Sequence, residues 1–519
     1  MNWPTLGVSP EEAQRRFDAL QAKLVDQWKL IGGYNVFEQT MVVVPSVSLD
    51  FNAPASVLQM YEERMLFLLL LLRKPGARII YLSSMPILPD ILDYYMSLLP
   101  GVIPSHARRR LTTVPVLDAT RRPLTRKILE RPRLIERIRG LIPHPETTHL
   151  VPYNTTPLER DLALRLGIPM YGADPKHLVH GTKSGSRRLF AAAGVPHAPG
   201  SEDIRTAEDC VAALRALREQ LPGVRKAIIK LNDSVSGEGN AEVDLEGLPP
   251  SGATGERAAL RERLDHMKFE LADFTLERYL ELLYERGGVV EERLSGREFC
   301  SPSVQARITP LGNVEILSTH DQLLGGKGGQ SFLGARFPAH AAYSTTIARE
   351  TEKVARRLSQ EGVIGRFAVD FVVVRDGADD WKSYAIEINL RKGGTTAPFL
   401  ILEFLVSGRF DWERSVFESP TGRSKFYVAD DHLESEVLRA LTPEDVLEVT
   451  VRNRLHYDHT TQKGVVYQML SAVTECGRVG VTAVGDSPRE AEVLWQKTRA
   501  HLLEEATVAA QDTGLPPAD

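Results

Sequence analysis

YAIEINLRKGG, residues 384–394, decides how this chain is read. Successive strand side chains point to opposite faces, so Ile386, Ile388 and Leu390 fall on one face and Glu387, Asn389 and Arg391 on the other. An acid, an amide and a guanidinium in a row make either an ordinary wet strand face or one side of a metal–phosphate site. The stretch just before it bears on the choice. GRFAVDFVVVRDGADDWKSYAIEINL (365–390) reads as a β-hairpin with its loop at 375–382. In simple register Val374 pairs with Ser383, and Asp370 then lies opposite Glu387. Asp370 stands among Phe, Val and Ala, where an unpaired carboxylate is costly to bury and must meet a cation. Oxygen ligands from Asp370, Glu387 and Asn389 suit Mg²⁺, which takes one or two carboxylates and completes its octahedron with phosphate oxygens and water.

Bulk properties are compatible with such a site. At 519 residues the chain is long enough for two to four domains. Apolar content of 43% and charged content of 25% are those of a globular protein with a large core. A net charge of −5 gives no electrostatic case for nucleic acid or an anionic membrane as partner. Cys210, Cys300 and Cys476 are far apart and lack metal-ligand spacing, so they read as reduced thiols of a cytoplasmic protein. No secretory signal is recognised at the start. Ser9-Pro10-Glu11-Glu12 reads instead as a helix N-terminus with a capping box. The longest apolar run, Met65 to Leu72, is far short of the ~18 residues of a membrane span and reads as the buried end of a helix.

Residues 35–175 alternate β-rich runs (40–46, 77–84, 149–156) with helical stretches, as a doubly wound α/β layer does. The basic stretch 106–139 reads as a solvated helical face. Further on, 183–200 is a helix closed by a Gly194 C-cap, and 225–243 is strand, glycine-rich loop, strand. Residues 285–308 have strand character interrupted at Ser295-Gly296. Beyond residue 405 two helix starts, at Thr442-Pro443 and Ser487-Pro488, flank two more β-rich runs.

Two other segments carry candidate chemistry. In IIKLNDSVSGEGN, Lys230 ends a buried strand, and the backbone N–H groups of Ser234, Ser236, Gly237 and Gly239 can approach phosphates closely. The segment is not a P-loop, because the chain contains no Gly-Lys-Ser/Thr. In VVEERLSGREF, Glu291 and Glu298 flank a short loop that can offer backbone groups to an adenine edge and a carboxylate to ribose.

The order of these pieces is more specific than any one of them. Lys183 precedes a helix; Lys230 precedes the Gly-rich loop 234–240; Glu291, Leu294 and Glu298 follow; Asp370 lies on one strand, and Glu387 and Asn389 on the next. Over roughly residues 175–400 this resembles the ATP-grasp fold, in which two α+β subdomains close on Mg·ATP. STHDQLLGGKGGQSFLGARFPA (318–339), EINLRKGGTT, and HYDHTTQKGVVYQML with GRVGVTAVGDSPREAE (456–492) resemble the pheganomycin-type peptide ligases, which carry an extra C-terminal domain. The resemblance implies a multidomain α/β and α+β chain. Its parts are an N-terminal doubly wound α/β domain at 1–175, ATP-grasp subdomains at 176–285 and 286–405, and a small α+β C-terminal domain at 406–519.

Carried over position by position, Lys183 and Lys230 contact the nucleotide phosphates, and Ser236, Gly237 and Gly239 close over them. Residues 291–294 line the adenine, and Glu298 holds the ribose. Asp370, Glu387 and Asn389 bind Mg²⁺. Arg391 faces the γ-phosphate or the acyl phosphate. Many relatives place an arginine two residues before the metal-binding Asp, where this chain has Ala368; Arg366 lies four before on the same strand parity. Arg366, Arg391 and Lys327 are therefore the candidates for the positive charge on the transferring phosphoryl group, with Lys392 behind them. His320, beside Asp321, is the histidine to consider as an amine-side base.

The implied activity is a cytoplasmic, ATP-dependent carboxylate–amine ligase that makes an amide through an acyl phosphate, acting on an amino-acid-like carboxylate and an amino acid or peptide amine. The alternatives are another ATP-grasp chemistry, such as carboxylation or thioester formation, or a non-catalytic nucleotide-binding protein. Glycine-rich segments 234–240 and 324–329 suit mobile covers over a water-sensitive intermediate.

Overall fold

The computed structural model describes residues 7–31, 38–48, 55–234, 237, 239–271, 274–325, 329, 331–377 and 380–513. The first sheet holds β1 (Gln39–Val44), β2 (Ala77–Ser83), β3 (Leu111–Pro115) and β4 (Thr148–Pro152). All are parallel, in the order β3-β2-β1-β4. Both faces are covered, as a parallel sheet requires. Val42, Val44, Ile80 and Leu82 pack on one side with Phe17, Leu150 and Leu162. Met41, Val43, Ile79 and Tyr81 pack on the other with the run Leu66–Arg73, which folds as a buried 3₁₀ helix. The strand β3 lies inside the basic stretch that the sequence presented as a helical face.

Strand order reverses between β1 and β4. In open α/β sheets a ligand crevice forms outside the carboxyl ends of the strands at such a switch point. Val47, just after β1, and Tyr153, just after β4, both line the large cavity described below.

The second sheet is antiparallel, β5-β9-β6-β7-β8, built from β5 (Gly200–Ile204), β6 (Lys226–Leu231), β7 (Asn240–Asp244), β8 (Lys268–Phe269) and β9 (Gly288–Glu292). The helix Lys183–Ala193 that precedes it is capped at both ends: Thr182 accepts from the Gly185 N–H, and Gly194 takes the left-handed conformation at φ 64°.

The third sheet has nine strands. In chain order they begin with β10 (Glu298–Cys300), β11 (Pro302–Ile308), β12 (Val314–Gly325), β13 (Ser331–Phe337), β14 (Gly365–Arg375) and β15 (Lys382–Asn389). After a separate hairpin of β16 (Arg409–Asp411) and β17 (Val416–Glu418) come β18 (Phe426–Glu434), β19 (Gly464–Gln468) and β20 (Arg478–Gly485). β10 and β11 follow one another along one edge of β14, and β15 takes the other edge. β11, β12 and β13 continue outward, and β13 pairs with β18. One sheet therefore runs across the expected boundary between residues 405 and 406, and the last segment of the chain extends it rather than forming a sheet of its own. A single apolar cluster joins Leu66–Leu72 to Leu400, Leu402, Tyr427, Val466, Val481 and Leu502, so the two ends of the chain share a core.

Candidate active site

A cavity of about 590 Å³ opens where the three sheets face one another. Its centre is the β14–β15 hairpin. Asp370 pairs with Glu387 and Ala368 with Asn389, as simple register requires; from Phe371 onward the partner is one residue earlier, with Phe371 opposite Ala385 and Val374 opposite Lys382. Ile386 is thus the extra residue of a β-bulge, which bends a strand and re-aims its side chains. Ile386 and Glu387 both line the cavity, so the alternation read from the sequence is broken at this point.

Asp370, Glu387 and Asn389 form one hydrogen-bonded group. Asn389 Nδ2 donates to Asp370 Oδ2 at 2.9 Å and to Glu387 Oε1 at 3.1 Å. Gln322 Nε2 donates to Asp370 Oδ1 at 3.1 Å. Burial pushes the Asp370 carboxyl up, against the Ser303 hydroxyl and the charges of Lys183 and Arg391. The Lys183 ammonium is in contact with Glu387 Oε2. Burial, reinforced by the like charge of Lys230, pulls Lys183 down to about 7, with Asp370 and Glu291 opposing. Two inward carboxylates and an amide, with a lysine drawn among them, form an oxygen-rich site suited to a hard divalent cation.

Lys230, at the end of β6, ion-pairs with Glu291 of β9, and Arg187 Nη1 donates to the other Glu291 oxygen at 2.9 Å. Burial works against the Glu291 carboxylate, but the two cations outweigh it and hold its pKa below the ordinary range. Ile228, Leu294 and Phe299 continue the wall with apolar side chains, beside Glu292 and Arg293.

Of the residues expected from the sequence, Lys183, Lys230, Gly237, Glu291, Leu294, Asp370, Glu387, Asn389 and Arg391 all line this cavity. Gly239 is packed against Tyr279 and Ser234 instead: its carbonyl accepts from the Tyr279 hydroxyl at 2.9 Å, and a Cβ there would meet Ser234 Cβ at 2.6 Å. Ser236 and Lys327 lie outside the described residues.

Three further expectations are corrected. Glu298 does not face the cavity. The neighbouring Phe299 does, so strand alternation turns Glu298 outward, where it is 47% exposed and ion-paired with Arg375 at 2.7 Å. Arg366 keeps the parity of Asp370 but sits too far down β14. It lies opposite Arg307 and among Glu403, Tyr171 and Glu315, outside the cavity lining. His320 is buried against Phe337, Phe399 and Tyr427, and its Nε2 lies 2.7 Å from the Tyr427 hydroxyl. Burial drives its pKa down to about 3, so it stays neutral inside an aromatic core. Arg391 is the expected phosphoryl-facing cation that lines the cavity among the described residues.

The sequence reading missed the part of the wall that comes from outside 175–400. Tyr61, Arg64 and Tyr153 of the first domain and Asp431, His432 and Arg478 of the last segment line the same cavity. Their signal was present as charges inside otherwise buried elements: Arg64 against the leucine run, Asp431 and His432 within VADDHLE, and Arg478 opening a wholly buried strand.

Comparison with known proteins shows the family. The family described as "IQCH-like, ATP-grasp" matches residues 176–270 and 264–413, and the "PGM1 C-terminal domain" matches 445–498. The chain is 31% identical over 451 residues to the L-propargylglycine–L-glutamate ligase of Streptantibioticus cattleyicolor, covering 85% of this chain and 89% of that one. It is 24% identical to IQ motif-containing protein H of Danio rerio, over 87% of this chain but only 47% of that protein. In fold it resembles biotin carboxylase from Campylobacter jejuni (TM-score 0.52, 12% identity, 91% of this chain and 95% of that one). It also resembles N5-carboxyaminoimidazole synthetase from Staphylococcus aureus (TM-score 0.50, 10% identity, 90% and 97%). A hairpin that sets two carboxylates and an asparagine against two lysines, and a relative aligned over most of both chains, lead to one conclusion: this chain belongs to the ATP-grasp ligases.

Proposed function

We propose that this enzyme joins an amino-acid carboxylate to the amine of an amino acid, using ATP and Mg²⁺ and releasing ADP and phosphate. The observation that carries the reading is the Asp370–Glu387–Asn389 group facing Lys183, Lys230 and Arg391 in one cavity. A carboxylate does not condense with an amine in neutral water, because its oxide is a poor leaving group; phosphorylation makes it a good one. Phosphoryl transfer asks chiefly for positioning and for neutralised oxygen charge.

Asp370, Glu387 and Asn389 would hold the metal, whose chemistry here is to neutralise phosphate oxygens. Lys183 then leaves Glu387 and turns to phosphate. Lys230, kept in place by Glu291, gives a second positive charge. Ile228 and Leu294 offer an apolar slot for the adenine, beside the backbone edge of residues 292–294. Arg391 neutralises the oxygens of the phosphoryl group as it passes to the substrate carboxylate. The amine then attacks the activated carbonyl carbon, the C–O bond to phosphate breaks, and the amine proton leaves with solvent. The name of the relative that covers most of this chain joins two amino acids, which supports the same substrate class here. No helix among the described residues is long and apolar enough to cross a membrane, in keeping with small dissolved substrates.

The test is incubation with Mg·ATP, pooled amino acids and small carboxylic acids, and hydroxylamine, followed by mass spectrometry. ADP and a hydroxamate are expected, and the hydroxamate identifies the activated carboxylate. AMP with pyrophosphate would overturn the acyl-phosphate route.

A further inference from the structure

Resting on that ligase reading, we propose that Arg64 and Arg478 form a carboxylate-binding subsite that holds the amine substrate, so that the acceptor is a free amino acid rather than a simple amine. The two guanidiniums come from opposite ends of the chain and meet at Asp431, within the register irregularity of β18. Arg64, just after the helix Ala55–Glu63, ion-pairs with Asp431, lies 4.0 Å over the Tyr61 ring, and donates from Nε to Met469 Sδ at 3.2 Å. Arg478 donates from Nε to the Asp431 carbonyl at 2.8 Å, and its Nη2 lies 2.9 Å from His432 Nε2. Both arginines are largely buried, with side chains 12% and residues 9% exposed respectively.

The two arginines are not equally paired. His432 is neutral: burial and the adjacent Arg478 bring its pKa down to about 4, so its ring nitrogen accepts from the guanidinium. Arg64 is ion-paired with Asp431, while Asp430, the other carboxylate whose charge acts with Arg478, accepts from the His432 N–H and from Trp495 Nε1 instead, so Arg478 makes no direct ion pair among the described residues. A buried cation without a counter-charge is costly, and a cavity-lining one invites an anion. Planar guanidinium forks match carboxylates.

Position identifies which carboxylate. The substrate carboxylate that becomes phosphorylated must sit beside Arg391 and Lys183, the cations next to Asp370. The arginine pair is a second positive centre on other elements, and it serves a carboxylate that does not react. It adjoins the first centre, because Arg64, Tyr153 and Asp431 share a smaller cavity with Gly393 and Gly394, just after Arg391. The Lys392 N–H donates to the Tyr153 carbonyl at 3.1 Å and ties the two centres together. An amino acid held there by its carboxylate presents its amine toward the activated acyl group from a short tether.

The test uses the full-length enzyme with the donor that hydroxylamine trapping selects. Each of the twenty amino acids is compared with its carboxamide as acceptor, and glutamate α-amide with glutamine separates α- from side-chain recognition. Acids are expected to exceed amides by about 30-fold in kcat/KM, the scale of one charge-assisted contact. Arg478→Gln should lower amino-acid ligation relative to hydroxamate formation by about 30-fold and erase the acid–amide difference, and Arg478→Lys should recover part of it. Amides that react as well as acids, or a variant that lowers ligation and hydroxamate formation equally (as it would if the pair held a second carboxylate of the donor), would overturn the subsite and leave the ligase standing. No hydroxamate from any carboxylate would overturn the ligase reading and the subsite with it. Should Arg478→Gln not fold, the acid–amide comparison on the unaltered enzyme decides.

Discussion

Asp370 and Glu387 face each other directly across β14 and β15, and the register slips by one residue immediately beyond them. The bulge leaves the pair aligned while turning both Ile386 and Glu387 to the cavity. Glu387→Ala is therefore expected to lower ADP release by at least ~10³-fold, as the loss of a charge-neutralising centre does. The melting temperature should hold within a few degrees, because Lys183 keeps Asp370 and Glu291 as counter-charges and no core volume is removed. Parallel ADP-release and thermal-melt measurements check this; near-normal turnover would remove Glu387 from the site.

Lys230→Met should weaken nucleotide binding by about 10- to 100-fold, the range for losing a charged hydrogen bond, and it strands one oxygen of buried Glu291. Calorimetric titration with ATP analogues reads it. The double variant Lys230→Met, Glu291→Gln should regain fold stability but not affinity, which separates the structural part of the pair from the binding part.

Glu298→Ala should change the KM for ATP by less than about 3-fold, since its partner Arg375 lies on the surface and such pairs contribute little. Steady-state kinetics decide. A loss beyond 10-fold would mean that β10 turns its faces over when nucleotide binds.

Glu63 gives a pH signature that does not depend on catalysis. Buried in the shared core and accepting from the Ser471 N–H at 3.2 Å, its carboxyl is pushed up to about 7 from 4.5, chiefly by burial. The native state thus holds this proton more tightly than the unfolded chain between those two pH values. The stabilisation is present below pH 4.5, declines across the window, and is lost above about 7. Glu63→Gln should raise stability at pH 8 by about 2 kcal/mol and leave it nearly unchanged near pH 5. Denaturant melts at the two pH values measure the difference.

Much of this site could be read from one sequence because strand chemistry is local. Asp370 opposite Glu387 follows from hairpin pairing, and the lysines and Gly-rich loop follow from their order along the chain. The rest is not local. Nothing in KSYAIEIN marks Ile386 as an extra residue, because a bulge needs no special side chain in that position. The ribose role of Glu298 comes from the resemblance to the ATP-grasp fold, but strand structure is interrupted between β9 and β10, and the interruption resets which face each residue takes. Arg64 meets Asp431 across 367 residues of sequence, a pairing that only the closure of the fold creates. The strand β3 was masked by the arginines around it, although Arg110 spends its guanidinium on the carbonyls of Leu72, Lys74 and Ala77 rather than on solvent.

The continuity of the large sheet also fixes the order in which the protein becomes safe from aggregation as it is made. Until residues 426–434 emerge from the ribosome, β13 has no partner on its outer edge, and Phe337, which stacks on Tyr427 at 4.9 Å, has no cover on that side. A nascent chain that already holds Lys183, Lys230, Asp370 and Glu387 is therefore an open-edged intermediate, prone to pair with its neighbours. Cutting the gene after the ATP-grasp core would release that intermediate permanently, not a minimal catalyst.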